Sequence, residues 1–341
     1  MQTVDVKDAH RFDQARLETY LQSNVGGFRG PLSVRQFEGG QSNPTFLLQT
    51  PETAYVLRRK PPGVLVKSAH AVDREVRVMR ALAATAVPVP RVHVLCQDLD
   101  VIGTEFFVMD YISGRVFADP NLPDLQPAER RALIYDYVDT LAKLHQVDLA
   151  AVGLSDYGRP GNYFARQISR WGRQYQETES ERVEEMHSLL AWLEQAVPQQ
   201  TAVSIVHGDF QLGNSLTHPT APRIAAVLDW ELSTTGDPLA DFTYFTGPWH
   251  ARAGDRSLAG KDLHALGIPV YAELVERYCA GTGRDGIPHE SFYRAFHAFR
   301  SAAILQGIIR RAMQGNNAGD MALQFSPADV RAAATHGLSY T

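Results

Sequence analysis

Cysteine is nearly absent from this sequence: two residues, Cys96 and Cys279, in 341. Two thiols so far apart make neither a disulfide framework nor a thiolate metal cluster, and such a composition suits a reducing cytoplasm. Long apolar runs are missing too. No stretch approaches the roughly 20 residues that a helix needs to cross a bilayer, so no membrane span is expected. The opening residues, MQTVDVKDAHRFDQARLETYL, carry acids early and have no apolar centre, which excludes a signal peptide. Charge of one sign is also scarce. With 33 Lys and Arg against 38 Asp and Glu the formal net charge is −5, whereas a nucleic-acid binder ordinarily carries a clear basic excess. Internal repeats and low-complexity segments are lacking as well. What remains is a globular chain long enough for two domains or one large one.

Its two parts differ in pattern. Residues 7–22 have helical periodicity, with Phe12, Leu17, Tyr20 and Leu21 as core contacts. Three strand-like runs follow at 32–37, 44–49 and 54–59, separated by EGGQSN and TPET, which are turn sequences. Residues 69–84 read as a helix with Val72, Val76, Met79 and Leu82 on one stripe, stopped by VPVP. Strands at 91–96 and 104–112, joined by a turn from Asp98 to Gly103, complete an expected five-stranded antiparallel sheet. Beyond SGR at 113–115 the chain turns helical, with helices expected at 127–147, 162–178, 181–196, 258–282 and 288–314 and short strands at 203–206 and 224–228. The expectation is an α+β, two-lobed protein: residues 1–112 a small antiparallel β-rich lobe, residues 113–341 a larger, mostly helical one, with a cleft between them.

The chemistry concentrates in VSIVHGDFQLGNSL at 203–216 and IAAVLDWE at 224–231. Each is a buried apolar strand that ends in polar residues. Asn214 follows Asp209 by five positions and Asp229 follows it by twenty. Two carboxylates and an amide offer too few nitrogen or sulfur ligands for zinc. All-oxygen donors suit Mg2+, which is ordinarily held together with substrate phosphates. Asn214 and Asp229 are the candidate metal ligands. Asp209 is the candidate base toward a hydroxyl.

HGDFQLGN resembles the H-G-D-x-x-x-x-N catalytic loop of the aminoglycoside phosphotransferase and choline kinase superfamily. LDWE is similar to that superfamily's second metal motif, and GDPLADFTYF at 236–245 to the stretch that follows it. The resemblance covers roughly residues 30–310. HAVDREVRVMRAL, PVPRV, VIGTEFFVMDYISGR and VHGDFQLGN more closely resemble the phosphotransferase domain fused to some acyl-CoA dehydrogenases, which suggests a functional link to such a dehydrogenase; no dehydrogenase portion lies in these 341 residues.

The resemblance implies a protein-kinase-like fold, ATP and Mg2+ as cofactors, and a small-molecule acceptor. It implies that Asp209 serves the acceptor hydroxyl, that Asn214 and Asp229 hold Mg2+, and that His207 buttresses the loop. Gly39, Gly40, Gln41 and Ser42, in EGGQSN, fall where the family places its nucleotide loop, and small residues let backbone N–H groups approach phosphate. Asp110 and Ile112, in VMDYISG, fall at the linker where adenine would meet the backbone. The third strand of such folds carries a phosphate-gripping lysine. Here that position is Arg58, a departure that keeps the fixed charge and adds a planar fork. Glu75, half-facing the core, would pair with it. Strand alternation puts Lys60 on the face of Arg58, as a fallback cation, and turns Arg59 away to solvent.

The expected activity is ATP-dependent transfer of a phosphoryl group to a small-molecule hydroxyl, of a hydroxy acid or its acyl-CoA thioester and not of an aminoglycoside. The rival readings are a catalytically silent nucleotide-binding regulatory module and a protein kinase. Against the last, only Leu232 to Thr235 separate LDWE from GDPLAD. Tyr163, Arg166, Trp171 and Tyr175, with Arg300, Arg310 and Arg311, are the candidates for the acceptor pocket. The acidic run TESERVEE at 178–185 reads as a solvated helix.

Overall fold

A computed structural model describes residues 2–38, 43–61, 71–159, 161–252, 257–314 and 325–341. The chain enters through a short strand, β1 (Thr3–Val4), and then α1 (Gln14–Asn24). α1 starts later than the periodicity suggests because the Asp13 side chain accepts from Arg16 N and caps the helix there. Strands β2 (Ser33–Phe37), β3 (Thr45–Gln49) and β4 (Ala54–Arg59) form the expected meander. α2 (Val72–Leu82) follows, then β5 (Val92–Cys96), a short α3 (Leu99–Ile102) inside the expected turn, and β6 (Phe106–Asp110). The sheet has six strands in the order β1-β2-β3-β4-β6-β5, one more than expected, because β1 adds to the edge of β2.

Both faces of this sheet are covered, which decides where its charges go. Phe46, Leu48, Tyr55, Leu57, Phe106 and Val108 pack with Leu17 and Leu21 of α1. Val56, Phe107 and Met109 face the other way and join Val72, Val76 and Met79 of α2 in a core that continues into the second lobe. Alternation along β4 is therefore as expected, but its consequence for Arg59 is not. Arg59 is buried on the α1 side, 2 % exposed, where its guanidinium lies over Phe12 and Phe46 and donates to the carbonyl of His10. A strand end that would be wet on a one-sided sheet is dry here.

The second lobe begins with α4 (Pro127–His145), α5 (Tyr163–Thr178) and α6 (Glu184–Gln195). The run 178–185 is not one helix: residues 179–183 break it between α5 and α6, with Glu179 accepting from Tyr175 Oη at 3.0 Å and facing His187 at 2.8 Å. Four short strands come next: β7 (Ser204–Val206), β8 (Ser215–Thr217), β9 (Ile224–Val227) and β10 (Thr234–Gly236). They form two small sheets, β10-β7 and β8-β9. α7 (Leu239–Phe245) leads to α8 (Leu263–Leu266) and α9 (Tyr271–Thr282), which split the single helix expected at 258–282 where Gly267 enters the left-handed region before Pro269. α10 (Glu290–Met313) and α11 (Pro327–Leu338) complete the lobe. A backbone bond ties the lobes beside the cleft, Val227 N to Pro88 O at 2.8 Å, and within the second lobe Arg115 exchanges both its bonds with Thr217. Among the described residues no helix is long and apolar enough to cross a membrane.

Candidate active site

The loop after β7 is fixed from below. His207 is fully buried; its Nε2 meets Leu228 O at 2.8 Å and its Nδ1 accepts from Asp209 N at 3.2 Å. Through these two bonds the imidazole buttresses the loop, as the resemblance implies. Gly208 has φ of +84°, and a Cβ there would stand 2.9 Å from Leu232 O, so glycine alone suits the position. The loop then turns Asp209 to meet Asn214, whose Nδ2 donates to Asp209 Oδ2 at 2.6 Å and to Asp209 O at 2.9 Å. Gln211 Nε2 adds a bond to the same carboxylate oxygen at 3.1 Å. The neighbouring loop is tied in through Leu228 N, which donates to Asn214 O at 2.8 Å. Asp229 follows in the left-handed region, φ +63°. A non-glycine residue held there marks a constrained site.

Asp241, which the sequence reading did not single out, anchors this assembly. It is 1 % exposed on α7 and accepts from His207 N at 2.6 Å and Gly208 N at 2.8 Å, with His145 Nε2 at 3.6 Å. Burial works to raise its pKa, but His145 and the donated hydrogen bonds outweigh it and hold the carboxyl below the ordinary range. Its signal was in the sequence, inside GDPLADFTYF. The motif match alone gave it no role.

On the opposite wall Arg58 meets three carboxylates. Its Nη2 lies 2.5 Å from Asp229 Oδ1 and 3.4 Å from Glu231 Oε2, and its Nε lies 3.2 Å from Glu75 Oε1. The expected pairing of Arg58 with Glu75 is therefore present, as an ion pair whose angle falls short of a hydrogen bond. Glu75, 1 % exposed, is pushed up to about 8 by burial and by the charges of Asp229 and Glu231, against the pull of Arg58. Asn43 bridges Glu75 and Glu231 at 3.3 and 3.2 Å. Neither Asn43 nor Glu231 was read from sequence, since an Asn ending a turn and a Glu after an Asp have no pattern of their own. Lys60 is no fallback: it is held at 2.9 Å by Glu105, the residue before β6.

The remaining expected residues divide. Gly39, Gly40, Gln41 and Ser42 lie outside the described residues. The amide of Asp110 is already donated to Arg91 O at 2.9 Å and its carboxylate meets His93 Nε2 at 2.6 Å, so that N–H is not free for adenine. Ile112, just beyond β6, has no backbone partner among the described residues. Of the acceptor candidates, Tyr163 and Tyr175 are core residues, and Arg166 donates to Gly161 O at 2.5 Å. Arg310 and Arg311 sit in the last turn of α10, half-buried and exposed. Trp171 and Arg300 stack on each other beneath the cleft.

The model of the phosphotransferase enzyme family matches residues 33–288, three quarters of the chain and all of the cleft just described. The chain belongs to that family. Acyl-CoA dehydrogenase family member 11 of Gallus gallus is 43% identical over 334 residues, which are 95% of this chain and 43% of that protein. The chain thus spans less than half the length of this relative. A crystal structure from Ralstonia eutropha, of a protein provisionally named an aminoglycoside phosphotransferase, is 48% identical, covers 97% of this chain and 98% of its own, and superposes with a TM-score of 0.88. A thermostable aminoglycoside phosphotransferase APH(4)-Ia, in ternary complex with AMP-PNP and hygromycin B, shares the fold at 18% identity and a TM-score of 0.57 over 95% of this chain and 97% of its own. The architecture is that of the aminoglycoside phosphotransferases, an antiparallel sheet lobe and a helical lobe, and the family fold supports ATP-dependent phosphoryl transfer to small molecules.

Proposed function

We propose that this phosphotransferase moves the γ-phosphoryl group of ATP to a hydroxyl of a small molecule, with Asp209 facing that hydroxyl. One observation carries the reading: Arg58, Asp229, Asn214 and Asp209, drawn from both lobes and 171 residues apart at the extreme contact, stand in one connected cluster. Asp209 is bonded by two amides, from Asn214 and Gln211, which orient the carboxylate to accept a proton from a hydroxyl as it attacks. Arg58 offers charge to phosphate oxygens once it is drawn off Asp229. Asn214 spends its Nδ2 on Asp209, which leaves the Oδ1 carbonyl oxygen to ligate a metal, and Asp229 keeps Oδ2 uncommitted among the described residues. This hard-oxygen pair fits Mg2+ shared with phosphates. When bound, Mg2+ neutralises charge on the phosphate oxygens. The chain's own part is positioning, since phosphoryl transfer asks little covalent chemistry of a protein.

The acceptor we assign is a hydroxy acid or its acyl-CoA thioester. A cavity of about 640 Å³ opens beside Gln211 and Leu212. Its walls are largely apolar, from Ile134, Phe245, Trp249 and Leu305. Among the described residues that line it, the two carboxylates are engaged, Glu290 with Arg294 and Asp329 with the N-cap Ser326 of α11, and Arg252 and Arg294 balance them. A polycationic aminoglycoside would find no surplus of negative charge among these described residues. The likeness to acyl-CoA dehydrogenase family members supports the same assignment. The test is Asp209→Asn, assayed with Mg2+, ATP and a panel of hydroxyacyl compounds and kanamycin. The variant should lose about 10²–10⁴-fold in transfer with nucleotide affinity nearly unchanged. Wild-type turnover by the variant would remove Asp209 from its role, and efficient kanamycin phosphorylation without hydroxyacyl turnover would overturn the acceptor class.

A further inference from the structure

Arg300 is the one arginine of α10 whose burial the fold does not explain. It is 7 % exposed, and among the described residues it has neither a hydrogen bond nor an ion pair. Its guanidinium lies over two rings, 5.5 Å from the centre of Trp171 on α5 and 4.8 Å from that of Tyr244 on α7. Nε is sealed from solvent, and the little exposure that remains belongs to the rest of the side chain. The other deeply buried arginines are compensated: Arg58 by three carboxylates and Arg59 by backbone carbonyls. A buried cation without a partner is strongly disfavoured. Stacking on two rings offsets part of that cost and also fixes the plane of the guanidinium, leaving its hydrogen-bonding edge unused.

The position is as telling as the missing partner. Tyr244 lines the cavity beside the catalytic loop. Its phenol is pushed upward by burial and then by the charge of Asp209, while Arg300 pulls it back. Arg300 lies over the ring of that tyrosine, and His297 and Ser301, its neighbours on α10, line the same cavity. We propose that Arg300 is the anion receptor of the acceptor site, taking a carboxylate or phosphate group carried by the molecule whose hydroxyl faces Asp209. An oxyanion at the free edge of the guanidinium supplies the missing counter-charge with planar, directional bonds. The two rings hold the fork still for it. Specificity follows, because an acceptor without the anion leaves the cation buried and unpaired. This inference rests on the reading of Asp209 as the residue that faces the hydroxyl.

The experiment is calorimetric titration of the full chain with hexanoate, hexyl phosphate and the neutral hexanamide, for the wild type, Arg300→Lys and Arg300→Met, with melting temperatures recorded alongside. At least one anion should bind the wild type about tenfold or more tightly than hexanamide, the size expected of a charge-assisted bond, and which anion wins identifies the source of the oxyanion. Arg300→Met should abolish the preference and Arg300→Lys keep part of it. Affinity for an ATP analogue should stay unchanged in both. Arg300→Met should melt no lower than the wild type without ligand, because the change removes an unpaired charge. Equal binding of hexanamide, or a preference that survives Arg300→Met, overturns the proposal. So does a marked fall in melting temperature with no recovery in Arg300→Lys, which would make Arg300 a core cation. An enzyme that keeps the preference but fails to turn over ATP would sink the phosphotransfer reading and leave the anion site standing.

Discussion

Two adjacent arginines at the end of β4 have opposite fates, and the difference is testable. Arg58 faces the cleft and meets Glu75, Asp229 and Glu231, whereas Arg59 faces α1 and lies over Phe12 and Phe46. Charge-assisted bonds are each worth about 1.5–3 kcal/mol. Arg58→Ala should therefore weaken binding of an ATP analogue with Mg2+ by about tenfold to a hundredfold, and Arg58→Lys should recover part of that. Arg59→Ala should leave nucleotide affinity intact and instead lower unfolding free energy by about 1–3 kcal/mol, from the lost bond to His10 O and the lost stacking. Titration calorimetry and urea unfolding of the three variants separate the two effects; a loss of affinity in Arg59→Ala alone would reverse the assignment. The direction in which each side chain points was legible from strand alternation. Arg59's burial was not, because alternation says which face a residue takes and nothing about what covers it. Glu231 was illegible for a related reason: its contact with Arg58 spans 173 positions and depends on a fold that no local pattern encodes.

At the scale of elements, α7 is the support of the catalytic loop. Seven residues long, it is too short to stand out by periodicity, and the sequence reading marked its residues only as a motif match. Yet its Asp241 satisfies two consecutive amides of the loop, which have no strand or helix to bond them. Asp241→Asn keeps the shape but replaces an acceptor oxygen with a donor, so one of the two amides faces an N–H. An unsatisfied buried donor costs about 1–3 kcal/mol. The variant should unfold at lower urea by that amount, and kcat should fall while nucleotide affinity holds, because the loop rather than the Arg58 wall loosens. A kcat equal to the wild type would show that the loop is held without α7. The larger elements were readable, since α2, α4, α5 and α10 carry sustained apolar stripes and β2 to β6 are bounded by turn residues. α11 escaped notice because its run of alanines has little pattern. The split of α8 from α9 turned on a left-handed Gly267.

Across the whole molecule, the helical lobe encloses titratable groups that make it sensitive to acid. His297, on α10, meets Thr243 Oγ1 at 2.9 Å and faces Arg300 and, at longer range, Asp241. Burial first, then Arg300, pulls its pKa down to about 3. His250 lies against Arg294 Nη2 at 2.8 Å with Glu290 nearby, and burial followed by Arg294 pulls it to about 4. His336 on α11 is displaced the same way, chiefly by burial. An ordinary histidine titrates near 6.5, so in this window the unfolded chain binds protons that the folded chain refuses. Stability is then full above pH 6.5 and lost as pH falls toward the folded values, by about 1.4 kcal/mol per pH unit for each histidine. In Glu75→Gln, which lacks the carboxyl raised to about 8, urea unfolding should show a midpoint clearly lower at pH 5 than at pH 7.5. The depressed carboxylate Asp241 contributes only below this range, whereas in the wild type Glu75, raised to about 8, gains stability as pH falls and opposes the histidines. His297→Asn removes one of them and should shrink the difference between the two midpoints, even if the variant is less stable at both. A difference unchanged in His297→Asn would mean that α10 admits the proton without opening, and that the lobe yields to acid somewhere other than behind Tyr244.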